Sequence, residues 1–224
     1  LLSVANGAFT DAALNSGVGT SSTNYTIDTT APSVTVTMGS ASFNIGATTT
    51  VTFTFSEAPT GFDSDDVILT NASGTIGVID SNNPLIQTAV FTPNNGIEDA
   101  ENIISVGTGW TDAALNAGVG DDSPNYTIDT NSPILLTISL GSYTFNRAAS
   151  TTVATFSFSE TPVSFIQTDI DLTNASGTIS DFTVTGDTKV YTATFTAADN
   201  TEDATNLLSV ANGAFTDAAL NSGV

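Results

Sequence analysis

The feature that most constrains this chain is an internal repeat of roughly 103 residues. The segment LLSVANGAFTDAALNSGV occurs at 1–18 and again, unchanged, at 207–224, and a variant of it occupies 103–120. NYTIDT and LTNASGTI also occur twice, and the spacing between equivalent positions is 101 to 105 residues. A unit of this length is the size of one small domain, so the chain is expected to fold as domains in tandem.

The phase of the repeat divides the chain into three parts. Residues 1–28 are predicted to be the C-terminal part of one repeat, 29–130 a complete repeat, and 131–224 a repeat that lacks its last strand. These parts are called the N-terminal segment, the central repeat and the C-terminal repeat. Two interpretations stay open: the 224 residues are a slice of a longer array, or they are the subunit of a polymer.

Hydrophobic residues alternate with threonine throughout, which predicts an all-β fold. Val51, Phe53 and Phe55, for example, alternate with threonines. A period of two residues is typical of antiparallel strands with one buried and one solvent-facing side, and clusters of Gly, Asn, Asp, Ser and Pro between them favour turns. The strands predicted for the central repeat are 33–38, 49–56, 66–72, 74–80, 86–92, 102–107 and 124–129. Seven short strands in about 100 residues predict a tandem array of immunoglobulin-like Greek-key β-sandwiches, arranged as a rod or filament. The DAALN segment is predicted to be a loop with a single helical turn.

The charge of the chain excludes several classes of partner. There are 23 acidic residues and only two basic ones, Arg147 and Lys189, which gives a net charge of −21. No basic patch can be assembled, so neither nucleic acid nor an anionic membrane surface is expected as a partner. No apolar run approaches the ~20 residues that span a bilayer, so direct membrane insertion is not expected. The absence of Cys and His excludes disulfides, zinc sites and a Cys nucleophile.

Most of the acidic residues recur at equivalent positions of the repeats. On an immunoglobulin-like topology, the loops after the second and sixth strands lie at the end where the chain enters, and the loop before the sixth strand lies at the opposite end. Acids of one repeat, of the linker and of the next repeat are therefore expected to converge at each junction. The recurring acids are Asp11, Asp112 and Asp217; Asp28 and Asp129; Glu57 and Glu160; Asp66 and Asp169; Glu98 and Glu202; and Asp99 and Asp203.

Oxygen ligands in this number, without His or Cys, favour Ca²⁺. Calcium takes six to eight oxygens, whereas Mg²⁺ demands strict octahedral geometry and keeps its waters. The residues predicted to bind calcium are Asp28, Glu57, Asp66, Glu98, Asp99, Asp112, Asn116, Asp129, Glu160, Asp169 and Asp217. The alternative is that the acids are solvated surface groups that keep the protein soluble.

No sequence feature indicates an enzyme or a ligand-binding module. Paired carboxylates can catalyse glycoside hydrolysis, but here they recur once per repeat at domain ends. A sugar-binding module would show exposed aromatic residues on one face, whereas most aromatic residues here occupy alternating core positions. Trp110 stands where the other copies have Phe9 and Phe215, so it is predicted to be a core aromatic residue.

The motifs IDTTAP, FSEAPTGFDSDDV, LTNASGTI and TDAALN resemble the bacterial Ig-like tandem repeats of giant RTX or biofilm-type surface adhesins. The resemblance covers essentially the whole chain. In that family such repeats are stalk modules of exported proteins, and calcium at the junctions stiffens the rod. The resemblance implies calcium ligands in the linkers, after the second strand and in the TDAALN loop, namely Asp28, Asp129, Glu57, Glu160, Asp112 and Asp217.

We therefore expect an extender or stalk module of a long adhesin or surface fibre, secreted or on the cell surface and stiffened by calcium. Short linkers with Pro32 and Pro133 would limit bending. The expected partners are neighbouring identical repeats of the same chain or filament. The alternative is the subunit of a non-covalent extracellular filament, in which the NYTIDT strand of one chain completes the sandwich of the next.

Overall fold

The computed structural model describes residues 1–224, and the chain folds as strands with two short 3₁₀ helices. No helix is long and apolar enough to cross a membrane. The N-terminal segment contains strands β1 (Ser3–Val4) and β2 (Thr20–Ser21), which pair antiparallel. No side chain of this segment is buried.

The central repeat consists of two four-stranded sheets. The first sheet has the order β3-β5-β8-β7 and contains β3 (Val34–Met38), β5 (Thr49–Phe55), β7 (Gly74–Ile76) and β8 (Ile86–Pro93). The second has the order β4-β10-β9-β6 and contains β4 (Ser42–Phe43), β6 (Val67–Asn71), β9 (Glu98–Val106) and β10 (Tyr126–Asp129). Neighbouring strands are antiparallel except β4 and β10, which run parallel. The prediction of an all-β fold in tandem repeats is confirmed.

Both sheets contribute to one core of 15 buried hydrophobic residues. The alternation along β5 explains its composition, since Val51, Phe53 and Phe55 are buried and the threonines between them are not. Burial of one such side chain stabilises the fold by about 1.5–3 kcal/mol. Trp110 is also buried, with its ring edge-on to Phe55 at a centroid distance of 5.1 Å.

The observed strands differ from the predicted ones mainly at their ends. The third strand begins at Val67, because Ser64–Asp66 form a 3₁₀ helix, and the fourth already ends at Ile76. Strand β9 extends back to Glu98, because it pairs with β10 over that length. The sequence pattern does not predict β4, because two residues are too few to show an alternation. The DAALN segment is a hydrogen-bonded turn and not a helical turn, because Leu115 adopts a φ of 69°.

The C-terminal repeat has one complete sheet and one incomplete sheet. The complete sheet has the order β11-β12-β15-β14, with β11 (Leu135–Leu140), β12 (Thr151–Phe158), β14 (Gly177–Val184) and β15 (Val190–Ala197). A 3₁₀ helix at Gln167–Asp169 precedes the other sheet, which consists only of β13 (Ile170–Asp171) and β16 (Ser209–Val210). Eleven buried hydrophobic residues form the core between them. No strand of this repeat occupies the positions that β4 and β10 occupy in the central repeat.

Candidate functional site

The TDAALN loop holds its aspartate in one conformation in every copy. In the central repeat, Asp112 Oδ1 accepts hydrogen bonds from Ala114 N (2.8 Å) and Asn116 N (2.9 Å), and Asp112 Oδ2 accepts from Asn116 Nδ2 (2.8 Å). These bonds hold the pKa of Asp112 below its ordinary value, with the bond from the Asn116 side chain contributing most. The carboxylate is buried and keeps its charge.

Each linker aspartate is also fixed by its own backbone. Asp28 Oδ1 accepts from Thr30 N at 3.1 Å, and Asp129 Oδ1 accepts from Asn131 N at 3.2 Å. The Asn side chain that ends the TDAALN loop reaches the linker as well. Asn116 Nδ2 donates to Asp28 O at 3.3 Å, and Asn221 Nδ2 donates to Asp129 O at 2.9 Å. The loop therefore ties the linker to the repeat that follows it.

Two groups of three carboxylates result, one at each linker. The Asp28 group consists of Asp28, Glu57 and Asp112, and the Asp129 group consists of Asp129, Glu160 and Asp217. In each group one oxygen of every carboxylate lies within 4.8 Å of the others. Each group combines a linker Asp, a Glu that follows the second long strand of the repeat, and the Asp of the TDAALN loop.

The carboxylates of each group disfavour one another's charge. The pKa of Glu57 is raised, first by burial and then by the charges of Asp28 and Asp112. The pKa of Glu160 is raised by burial and then by Asp217, Asp129 and Glu98, in that order. Lys189 is the weakest of the influences on Glu160, and its ammonium group donates to Ser159 O at 3.0 Å.

Asn221 links the central and C-terminal repeats directly. Ile45 N, in the loop after β4, donates to Asn221 Oδ1 at 2.7 Å. Asn221 therefore contacts the central repeat, the linker and, through its Nδ2, Asp217 Oδ2 at 2.7 Å. Nothing in the sequence pattern marks Ile45, because its contact depends on how the two repeats are oriented.

The remaining predicted site residues lie outside the two groups. Asp66 Oδ2 accepts from Asp63 N (3.2 Å) and Asp169 Oδ2 accepts from Ile166 N (2.8 Å), so each closes a 3₁₀ helix. Asp99 Oδ1 accepts from Glu101 N at 3.0 Å.

Glu98 and Asn116 lie closest to the groups among the other predicted ligands. Glu98 pairs with Asp129 across strands β9 and β10, and its charge raises the pKa of Asp129, after the larger effects of burial and of Asp217. Asn116 bonds to both the linker and the loop aspartate of the Asp28 group.

Comparisons with known proteins identify the family. Residues 28–128 and 129–224 each match the family described as "Bacterial Ig-like domain". No curated protein matches the sequence at a significant level. Among solved structures, the chain is similar to that of the Escherichia coli adhesin FdeC, described as broadly conserved and as eliciting protection against urinary tract infections. The identity is 16% and the TM-score 0.40, and the match covers 79% of this chain but only 63% of that one. The two family matches cover most of the sequence, and the chain belongs to the bacterial Ig-like domain family.

Proposed function

We propose that the chain is an extender module of an extracellular adhesin or surface fibre, and that calcium stiffens its junctions. Family membership and the tandem arrangement support the extender role. The observation that carries the proposal is the recurrence of the same three-carboxylate group at both linkers. Because these carboxylates recur where one repeat meets the next, a ligand bound there would act on the way neighbouring repeats are joined.

The residues present fit a calcium ion. Calcium–oxygen distances are about 2.3–2.6 Å, so two oxygens on one ion lie at most about 5 Å apart. The oxygens of each group lie within 4.8 Å of one another, which is inside that limit. Bound calcium would offset the repulsion that, after burial, raises the pKa of Glu57 and Glu160.

The origin of the three carboxylates explains how binding would stiffen a junction. Asp129 ends strand β10 of the central repeat, whereas Glu160 and Asp217 belong to the C-terminal repeat. A ligand shared by the three would brace one repeat against the next. In its absence, the repulsion among the carboxylates acts against the hydrogen bonds of Asn221 to the linker and to Ile45.

The test is small-angle scattering of the chain with calcium and with a chelator. We expect the scattering with calcium to fit one fixed arrangement of the repeats, and the chelated chain to require a range of arrangements. Isothermal titration should show calcium binding that weakens by about tenfold or more in the E57Q/E160Q variant, because affinity follows the number of charged ligands.

The control is E101Q, which removes one charge from an exposed glutamate outside both groups. It should bind calcium as the parent chain does. If calcium changes neither the scattering nor the heat signal, the acids act only as solvated surface groups and the proposal is wrong.

A further inference from the structure

The chain contains three Asn-Gly pairs, which begin at Asn6, Asn95 and Asn212. An asparagine before glycine is chemically labile, because the glycine nitrogen can attack the side-chain amide carbon and glycine has no Cβ to obstruct that attack. The three pairs share one dipeptide but differ in their backbone hydrogen bonds. The fold therefore determines which of them reacts.

The glycine nitrogens of two pairs are held by short hydrogen bonds. Gly7 N donates to Gly17 O, and Gly213 N donates to Gly223 O, both at 2.8 Å. A peptide nitrogen attacks only after it loses its proton, and a hydrogen bond of this length must be broken first. The pairs at Asn6 and Asn212 are therefore protected in the folded chain.

The Asn95–Gly96 pair is less protected. It lies in residues 94–97, the loop between β8 and β9, and both of its residues are exposed. Gly96 N donates to Thr130 O at 3.4 Å. That distance exceeds the usual range of about 2.7–3.2 Å for such bonds. The attacking nitrogen of this pair is thus the most readily released of the three.

The C-terminal repeat indicates that the loop accepts an aspartate at this position. Asp199 and Asn200 stand where the central repeat has Asn95 and Gly96. Asn200 and Gly96 both adopt a left-handed backbone, with φ of 55° and 71°. An aspartate in place of Asn95 is therefore compatible with the shape of the loop.

We propose that Asn95 is a site of spontaneous deamidation in the folded chain. Gly96 N loses its proton to water and bonds to Asn95 Cγ, the bond from Cγ to Nδ2 breaks, and ammonia leaves with a proton from water. The product is a five-membered succinimide ring, which water then hydrolyses. Hydrolysis at Cγ gives aspartate, and hydrolysis at the main-chain carbonyl gives isoaspartate, in which the main chain passes through Cβ and Cγ. Either product replaces a neutral amide with a carboxylate.

The modified loop holds the linker. Thr130, the residue after Asp129, is buried, and its hydroxyl donates to Asn94 O at 2.9 Å while its backbone N donates to Ile97 O at 2.7 Å. Isoaspartate inserts one methylene into the main chain between these two acceptors, so we expect it to disturb both bonds. Aspartate leaves the main chain unchanged. Deamidation would therefore alter a contact at the junction as the protein ages, whether or not calcium binds there.

The test is incubation of the full chain at neutral pH with a chelator present, followed by mass spectrometry of its chymotryptic peptides over time. We expect Asn95 to react about tenfold faster than Asn212, the factor that one hydrogen bond supplies. In guanidinium chloride the two should react at similar rates, because only the fold distinguishes two Asn-Gly pairs. A folded chain in which Asn95 stays intact, or in which Asn212 reacts as fast as Asn95, would overturn the proposal.

Two variants separate the steps. N95Q should stay unmodified, because its longer side chain would have to close a larger ring. N95D carries the new charge on an unaltered main chain, so its melting temperature should match that of the parent. The aged parent, which contains isoaspartate, should melt at a lower temperature than N95D. Equal melting temperatures would show that the contacts of Thr130 tolerate isoaspartate and would refute the effect on the linker. Because the chelator is present throughout, this proposal and calcium binding can fail separately.

Discussion

The aspartate of the TDAALN loop shows that one carboxylate can have two roles. In the N-terminal segment, Asp11 Oδ1 accepts from Ala13 N and Asn15 N, both at 2.9 Å, although the loop packs on no sandwich there. The turn therefore forms without a neighbouring Glu or linker. At Asp112 and Asp217 the same turn presents an oriented carboxylate to the junction. The free-energy cost of ordering that side chain would therefore not be added to the cost of binding a ligand.

Tyr126 provides a test at the level of a single hydrogen bond. Replacing it with Phe removes the hydroxyl that donates to Ala72 O at 2.9 Å and leaves a buried carbonyl unpaired. We expect Y126F to lower the free energy of unfolding of the central repeat by about 1–3 kcal/mol. Urea denaturation followed by tryptophan fluorescence measures it, because Trp110 lies in the same core.

The matched control is Y143F. The Tyr143 side chain is 74% exposed and its hydroxyl accepts from Leu140 N at 3.3 Å, so its loss should change the unfolding midpoint of the C-terminal repeat little. Circular dichroism measures this midpoint, because Trp110 lies in the core of the central repeat. Equal effects of the two substitutions would contradict the role assigned to Tyr126.

At the level of the elements, the glycine that follows each TDAALN turn lets the loop pack directly against an aromatic ring. A Cβ on Gly118 would meet the Trp110 ring, and a Cβ on Gly17 would meet the ring of Phe9. Trp110 is buried, whereas Phe9 is 54% exposed and can move. We expect G118A to destabilise the central repeat by about 1–3 kcal/mol, as overpacking does. G17A should have almost no effect, and thermal denaturation of both variants measures the difference. A neutral G118A would show that the indole ring has room to shift.

The sequence predicts a strand correctly where the alternation of hydrophobic residues lies within that strand. It fails where a strand forms only because a neighbouring strand pairs with it. Alternation at Val51, Phe53 and Phe55 is sufficient to predict β5 and its buried side. Strand β4 has two residues and exists because β10 lies beside it. The segments 98–106 and 202–210 are similar in sequence, yet only the first is a long strand, because only it has a partner.

The candidate site also has features that the sequence predicts and features that it does not. The recurrence of Asp28, Glu57 and Asp112 in the repeats indicates acids at the junction, and the structure places one oxygen of each within 4.8 Å of the others. Asp66 recurs equally well but closes a 3₁₀ helix, and recurrence alone does not distinguish the two roles. The contact of Ile45 with Asn221 has no signal in the sequence, since it arises between repeats.

At the scale of the whole molecule, the junction acids determine whether the stability of the calcium-free chain rises or falls with pH. The pKa of Glu57, Asp129 and Glu160 is raised in the folded chain, mainly by burial. The folded state then binds more protons than the unfolded state between the ordinary value, 4.5 for Glu, and the raised value. Stability is greatest below the ordinary value and falls as the pH rises through the raised one.

We therefore expect the melting temperature of the chelated chain to fall as the pH rises above the ordinary Glu value of 4.5. Calcium should flatten the curve, and E57Q/E160Q should reduce its slope, whereas E101Q should not. Asp112 has a lowered pKa, so its contribution to stability increases with pH. That increase occurs only below its ordinary pKa of 3.8. A melting temperature that rises with pH in this range would contradict the assignment.

The parallel pairing of β4 with β10 has a mechanical consequence. Strand β4 lies near the N-terminal end of the central repeat, and β10 ends it; Thr127 N donates to Ala41 O at 3.0 Å where the two run side by side. Tension along the chain pulls these neighbours in opposite directions along their own axes. The hydrogen bonds between them are then loaded together in shear and do not open one at a time. A repeat built this way would resist extension, as the proposed extender role requires.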